Sequence, residues 1–443
     1  MNNLISLITT TLIFYLTGFP YTFLLGPQTL VENLSLSFLI GSGLSTFFWF
    51  LAYLLGFPFT ISSLLISSLI ASLLGFLLAK IFKHKLEFSK LKLEKSEKYL
   101  TLAILILGGI ALLISAYNPI TAWDSLTMYD FRGRVIALDH VLTNLESNAY
   151  YLSYPLMTSL SHSIIYLFKG TNPQPLYPLF YLSLISIIFS RLSVWANQKL
   201  GLITSLLLLT NQSLWSLSVI AYSNIPYTTL LVASFLYAVS PVSKKDSTHL
   251  FISGLLLGLS TWVRSAETFW LIGIFILLWQ GIRLKKKLLA FFSLSLVLLF
   301  KVTWSHYYLV AYEKLSHPTT PLTSLISLST ITKIINNFSD ITYYVSQNII
   351  YPFFGTWLIV LALIPVLLVL SKNKKQSSDF FRIFQLFSII LLSFFMTLGG
   401  IALFSTYYKT WDAIGGSAQR MLIFIIPLTI ITSIYSYFLT NKN

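Results

Sequence analysis

Apolar runs of about 20 residues, the length that crosses roughly 30 Å of hydrocarbon, recur along this chain from one end to the other. Lipid offers no partners for backbone N–H and C=O groups, so such runs can fold only as helices or as a closed barrel, and runs this long specify helices. Of the 443 residues 56% are hydrophobic and 10% charged, with a mean hydropathy of +0.77, far outside soluble composition. The expected fold class is all-α: a polytopic transmembrane helical bundle of roughly 13 spans, with no sizeable soluble domain.

The net charge of +15 raises the question of nucleic acid. The lysines stand in short clusters between apolar runs, however, which is the pattern of cytoplasmic loops under the positive-inside rule, so no nucleic-acid partner is expected. Cysteine is absent, which rules out disulfides and thiolate metal sites. The opening M-N-N lacks a basic region and reads as the start of a first anchor, not of a cleaved signal peptide.

Three apolar segments come first, near Leu4 to Leu24, Leu34 to Leu55 and Thr60 to Phe82, with Glu32 read as a solvated loop residue between spans. The basic run from Lys80 to Lys98 marks the cytoplasm, so the span Tyr99 to Tyr117 carries the chain outward. Lys244 and Lys245, Arg283 with Lys285 to Lys287, and Lys372 with Lys374 and Lys375 mark later cytoplasmic turns. Spans expected near Ser253 to Val263, Phe269 to Ile282, Leu288 to Leu309, Tyr351 to Leu370, Phe384 to Phe404 and Met421 to Leu439 fit between these marks. Between Tyr154 and Asn224 three apolar segments stand where an even number of crossings is required, and the short Pro155 to Phe168 run is the one expected to lie at the interface or enter only part way. This arrangement puts the amino terminus outside and the carboxyl terminus inside. Residues 1–98 read as accessory spans with a basic loop, and 99–443 as the core carrying an outer loop, 118–154.

That loop holds Asp124, Asp130, Arg132, Arg134, Asp139, His140 and Glu146. Asp124 follows Trp123 a few residues beyond a span, at the level where a lipid headgroup and a water-soluble partner can meet. A carboxylate there can take the proton of an attacking hydroxyl, or simply stabilise the loop. Asp130 and Asp139 read as solvated helix or turn residues. Arg132 and Arg134 either hold a lipid phosphate through paired N–H donors or snorkel and pair with an aspartate.

Further along, G-L-L-L-G-L-S-T-W-V-R-S-A-E places Arg264 and Glu267 at an outer turn, with Gly254 and Gly258 allowing close helix packing below. The two charges either act on a ligand or neutralise each other. Near the end, Lys409, Asp412 and Arg420 fall outside, and Arg420 at a helix start asks for a compensating anion. Lys301 and His306 fall in the outer half of their span, Lys301 reading as a cavity-facing cation. No H-E-x-x-H, Walker loop or zinc spacing is present, and no inverted repeat supports a transporter fold.

Together these motifs resemble the GT-C superfamily of integral-membrane glycosyltransferases, in particular prokaryotic members related to protein O-mannosyltransferases and the lipid A aminoarabinose transferase. The residues that carry the likeness are W-D-S-L-T-M-Y-D-F-R-G-R at Trp123 to Arg134, Y-P-L at Tyr154 to Leu156, Y-S-N-I-P at Tyr222 to Pro226, Gly254 through Arg264 and Glu267, and Ser417, Arg420, Leu422 and Pro427. The likeness spans Tyr99 to the end. It implies a GT-C-type bundle that moves a sugar from a polyprenyl-phosphate donor to a lipid, glycan or protein acceptor at the outer face of the cell membrane, with inversion. Asp124 would be the base; Arg264, Arg420 and Lys301, with Arg132 and Arg134, would bind the donor phosphate; Trp123, Tyr154, Asn224 and Glu267 would contact substrate. Asn224 stands where many members have aspartate, and arginines replace lysines at 132 and 134. No cofactor is expected: if the second acid supports a metal in those members, asparagine at 224 argues for a metal-independent mechanism, although Asn224 could also bind sugar and a divalent metal stays open. A transporter or flippase for a lipid-linked saccharide, and a non-catalytic protein of the same fold, are the alternatives.

Overall fold

The computed structural model of the protein describes residues 2–26, 28–82, 88, 93–152, 154–240, 248–264, 267–313, 327–353, 355 and 377–441. Among them the chain is helical throughout, without a strand. The first helices are α1 (Asn2–Thr22), α2 (Leu30–Leu54), α3 (Ile61–Phe82), α4 (Lys95–Tyr117), α5 (Phe131–Asp139), α6 (Thr143–Glu146) and α7 (Met157–Leu167). Next come α8 (Leu176–Trp195), α9 (Gln198–Leu209), α10 (Gln212–Ser218), α11 (Asn224–Val239), α12 (Thr248–Val263), α13 (Trp270–Arg283) and α14 (Lys287–Glu313). The last are α15 (Leu328–Asn336), α16 (Phe338–Val345), α17 (Ser377–Tyr407), α18 (Ser417–Met421) and α19 (Ile425–Asn441).

Seven of these are long and apolar enough to cross a membrane: α1 continued to Leu25, α2, α3, α4, α8, α14 and α17. The pair α9 and α10, bent by 71° at its break, makes up to eight if taken as one span. The roughly 13 spans expected from the apolar runs exceed this number. As helices, α11, α12 and α13 have only 14 to 16 residues. Most of the run expected to span at 351–370 lies outside the described residues, as do residues 83–87 and 89–92 of the Lys80 to Lys98 run, Lys244, Lys245, Lys372, Lys374 and Lys375.

The chain divides into two compact units, Met1–Ala266 with Gly273–Leu315, and Glu267–Ile272 with Ser316–Asn443. The boundary expected between residues 98 and 99 therefore falls inside the first unit. At the centre of this unit lies α2, 83% buried along its apolar length against 28% for α3 and 17% for α4. Phe47 and Phe50 of α2 meet Trp262 of α12, with Phe300 and Trp304 of α14 beside them, and the Trp262 indole donates to Thr46 at 3.1 Å. Gly18 and Gly41 let α1 and α2 touch backbone to backbone; a Cβ on either would strike a carbonyl oxygen of the other helix. Gly254 and Gly258 let α12 pack closely on α14, Gly254 against Ser293 and Gly258 against the Phe300 ring, the close packing expected from the sequence. In the second unit, Asp379 and Arg382 of α17 bond to each other and to the Tyr435 hydroxyl of α19.

The helices of the first unit present two ends. At one, Phe59 in the turn between α2 and α3 donates its N–H to the His140 carbonyl, Thr171 donates to Asn3, and Asn172 reaches the carbonyls of Ser115, Ala116 and Asn118. This is the Asp124 end. There too, α7 begins beside Arg132, and the turn that follows it meets Asn3 and Asn118.

At the other end Glu32 departs from the expected solvated loop residue. Thr29 caps α2 by accepting the Glu32 N–H at 3.1 Å, which draws Glu32 into the first helical turn, where it is 1% exposed. Its carboxylate accepts from the Arg191 guanidinium of α8 and the Tyr237 hydroxyl of α11, and Arg191 also meets His249 of α12 at 3.3 Å. One buried ion pair thus ties four helices together. Removing either partner strands the other charge, which costs about 3–5 kcal/mol, whereas replacing both by apolar groups costs far less. Glu32→Ala or Arg191→Ala alone should therefore lower the unfolding temperature in detergent steeply, and the Glu32→Leu/Arg191→Met pair should recover most of the loss. Additive losses in the double variant would refute this account.

Candidate functional site

Beyond α4 the chain turns through Trp123 and Asp124 into a π-helical stretch, Ser125–Asp130, and then into α5. Single π turns widen the helix and are frequent at functional sites. Trp123 is exposed, Asp124 half-buried, and Ser125, Met128, Tyr129 and Asp130 are buried. The stretch therefore lays one face on the bundle and leaves Trp123 and Asp124 at its rim.

Tyr129 is where the separate motifs meet. Its hydroxyl lies 2.6 Å from Ser223 Oγ, immediately before Asn224, the buried first residue of α11. Its ring lies 6.2 Å from that of Tyr154 and 5.7 Å from the Arg132 guanidinium. Arg264, one residue past α12, sits 5.2 Å over the Tyr154 ring. Burial pushes the Tyr129 hydroxyl up to about 12, against the opposing pull of the Arg264 charge, so it stays protonated. Arg264, Tyr154, Asn224 and the stretch after Asp124, predicted separately from the sequence, are thus drawn to one region of the first unit.

Asp130 corrects the sequence reading. Far from being solvated, it is 2% exposed, and its carboxylate accepts from Arg134 Nε at 2.8 Å and from the Tyr166 hydroxyl of α7. His162 Nδ1 stands 3.5 Å away, and Nε2 of the same ring lies 2.8 Å from the Tyr177 hydroxyl of α8. Burial pulls the His162 pKa below its ordinary 6.5, which favours the neutral ring. Burial alone would raise the Asp130 carboxyl; the partners His162, Tyr166 and Arg134 outweigh it and hold the carboxyl at about 2. Gly133 makes the approach possible, since a Cβ there would crowd His162 Cβ at 2.7 Å and the Ser159 carbonyl at 3.0 Å. His162 and Tyr177 also line a small crevice of about 10 Å³ with Thr158, Ser161 and Pro226.

The two arginines also differ from a headgroup-facing pair. Arg132 is fully buried: Nε donates to Ser159 Oγ at 2.9 Å and Nη1 to the carbonyls of Tyr151 and Tyr154, each at 2.7 Å. It braces the turn into α7 and is not presented to a lipid phosphate. Arg134 takes the aspartate-paired alternative, its guanidinium 4.9 Å from the Tyr166 ring centre. Asp139 is the solvated turn residue expected, accepting from Asn144 at 2.7 Å. Lys301 is half-buried in α14. Glu267 and Arg420 belong to the second unit, where Glu267 is buried and Arg420 reaches Ser417 Oγ at 3.3 Å.

Tyr129, His162, Tyr166 and Tyr177 were not among the sequence candidates. His162 carries the one usable signal, an ionisable residue inside the apolar run M-T-S-L-S-H-S-I-I-Y. The tyrosines are indistinguishable from packing material without coordinates.

The Asp130 linkage has a definite sign. Its folded pKa is lowered from 3.8 to about 2, so its contribution is complete above pH 3.8 and is lost as pH falls towards 2. A shift of this size corresponds to about 2 kcal/mol. Asp130→Asn should lower the unfolding temperature at pH 6 and flatten its decline between pH 4 and 2, measured in an acid-stable detergent. An acid limb as steep as that of the parent would place the linkage elsewhere.

No known protein family, curated protein or solved structure matches this chain, so its function has to be argued from the arrangement around Asp124, Tyr129 and Asp130.

Proposed function

We propose that the protein is a membrane glycosyltransferase that moves a sugar from a polyprenyl-phosphate donor to an acceptor hydroxyl, with Asp124 as general base at the extracytoplasmic face. The observation that carries this reading is the convergence of Arg264, Tyr154 and Ser223–Asn224 on Tyr129, five residues after Asp124 on the same helical stretch. The orientation follows from the basic residues described at the opposite end: Lys80 at the end of α3, Arg283 at the end of α13 and Lys287 at the start of α14.

In the proposed reaction the acceptor oxygen attacks the anomeric carbon from the side opposite the phosphate. The bond from that carbon to the phosphate oxygen breaks, and polyprenyl phosphate leaves with the electron pair. The acceptor proton passes to Asp124, and Arg264 offsets the negative charge growing on the phosphate. Tyr129, protonated and buried, supplies a hydroxyl to the sugar or phosphate side. Arg420 and Lys301 remain proposed phosphate partners, and Trp123, Asn224 and Glu267 proposed substrate contacts. Arg132 acts instead by shaping the platform, and Arg134, paired with Asp130 but with 54% of its side chain exposed, remains a proposed phosphate partner.

A transport reading draws on one observation, the second buried ionisable cluster of Glu32, Arg191 and His249 at the opposite end of α8, α11 and α12. The test separates the two. Purified protein in vesicles is given a panel of short-chain polyprenyl-phosphate sugars and membrane extract as acceptor, and released polyprenyl phosphate is measured. Asp124→Asn should reduce release by about 10²–10⁴-fold, the usual worth of a general base, and Arg264→Ala by about 10²-fold or more. Release unchanged in Asp124→Asn would remove the proposal, and transbilayer movement of an intact donor would favour transport.

A further inference from the structure

Helix α15 in the second unit has three distinct sides. At about 100° per residue, Thr330, Ile334 and Asn337 fall on one side, and these are its buried or half-buried residues. Asn337 at its end donates to the Ser405 carbonyl of α17 at 2.9 Å. A second side carries Leu328, Ile331 and Ile335, exposed by 84%, 55% and 67%, and Phe338, the first residue of α16 directly after the Asn337 turn, falls in register with them and is 67% exposed. The third carries Ser329, Thr332, Lys333 and Asn336, all exposed. A stripe of four large apolar side chains therefore points away from the protein and away from the polar side.

The level of the stripe is fixed by α17. Ser405 lies in the last turn of a helix able to span the membrane, and that end carries the exposed aromatics Tyr407 and Tyr408. Aromatic residues gather where headgroups meet acyl chains. The lipid-facing surface of α17, with Phe395, Leu403 and Phe404 exposed, thus runs up to the level at which α15 is held.

We propose that α15 is an in-plane membrane anchor, lying at the headgroup–acyl boundary with Leu328, Ile331, Ile335 and Phe338 among the acyl chains. An amphipathic helix in this position buries its apolar side in lipid, turns its polar side to water and gains from a cation beside anionic headgroups, the place Lys333 takes. The occupant of the stripe is the bilayer itself, and this holds whatever reaction the first unit performs.

The absence of cysteine makes the test direct. Ile331→Cys, Ile335→Cys, Thr332→Cys and Asn336→Cys are made one at a time in the full chain, spin-labelled, and placed in phosphatidylcholine–phosphatidylglycerol vesicles. All four side chains are exposed, so the substitutions leave the packing as it is. Labels at 331 and 335 should collide several-fold more with oxygen than with a water-soluble nickel chelate, and labels at 332 and 336 should show the reverse. Equal ratios at all four positions would overturn the proposal by placing the helix in water. Labels at 331 and 335 immobilised and shielded from both reagents would overturn it by placing protein over the stripe.

Discussion

A carboxylate withdrawn from water keeps its charge only where donors converge on it, and Asp130 gathers Arg134 from its own helix with Tyr166 and His162 from α7. That convergence turns a polar interval between membrane spans into a platform. Without it, the stretch from Ser125 to Asp139 would be held by the Gly133 contact, the Arg132 brace and the Tyr129–Ser223 bond, with a buried charge left uncompensated. Asp124, Tyr129 and the approach of Tyr154 all take their positions from how that short helix is seated. The neutral His162, shared between Asp130 and Tyr177, extends the hold to α8.

The Glu32 cluster obeys the same physics at the opposite end, and the two clusters share helix α8 but no side chain. Glu32 and Arg191 pair as full charges; Asp130 relies on hydrogen bonds from the Tyr166 hydroxyl and the Arg134 guanidinium, with His162 Nδ1 at 3.5 Å. An arrangement with buried groups at both ends of α8 is a rigid frame, because each polar group removed from lipid demands its partner in one geometry. Such a frame suits the proposed chemistry, in which the reacting groups must be held in place while a lipid donor enters from the side.

The helices were legible from the sequence because lipid leaves the backbone no other solution. What escaped was depth. Glu32 looks like a loop residue because a polar residue between two apolar runs carries no mark of the cap at Thr29 that pulls it into the helix. Asp130 and Arg132 look like headgroup-level charges because their partners, Tyr166, Ser159 and the carbonyls of Tyr151 and Tyr154, come from 19 to 36 residues further along. Arg264, Tyr154 and Asn224 were found as motif residues, yet Tyr129, the residue around which they gather, has no motif of its own in a chain with 25 tyrosines.

The three aspartates of the platform are separated by these surroundings. A general base has to be reached by its substrate and has to gain from taking a proton. Asp130 fails both conditions, since it is enclosed and its carboxyl is held at about 2 by groups that favour the anion. Asp139 ends α5 at an exposed turn, bonded to Asn144 and remote in the chain from the residues around Tyr129. Asp124 stands half-buried at the rim, one helical stretch from Tyr129 and from the arginine whose charge is felt there. The seating of Asp130 and the reach of Asp124 are then complementary: one carboxylate is stabilised so that its helix stays where it is, and the other is left at the edge of that helix, where a hydroxyl can approach it.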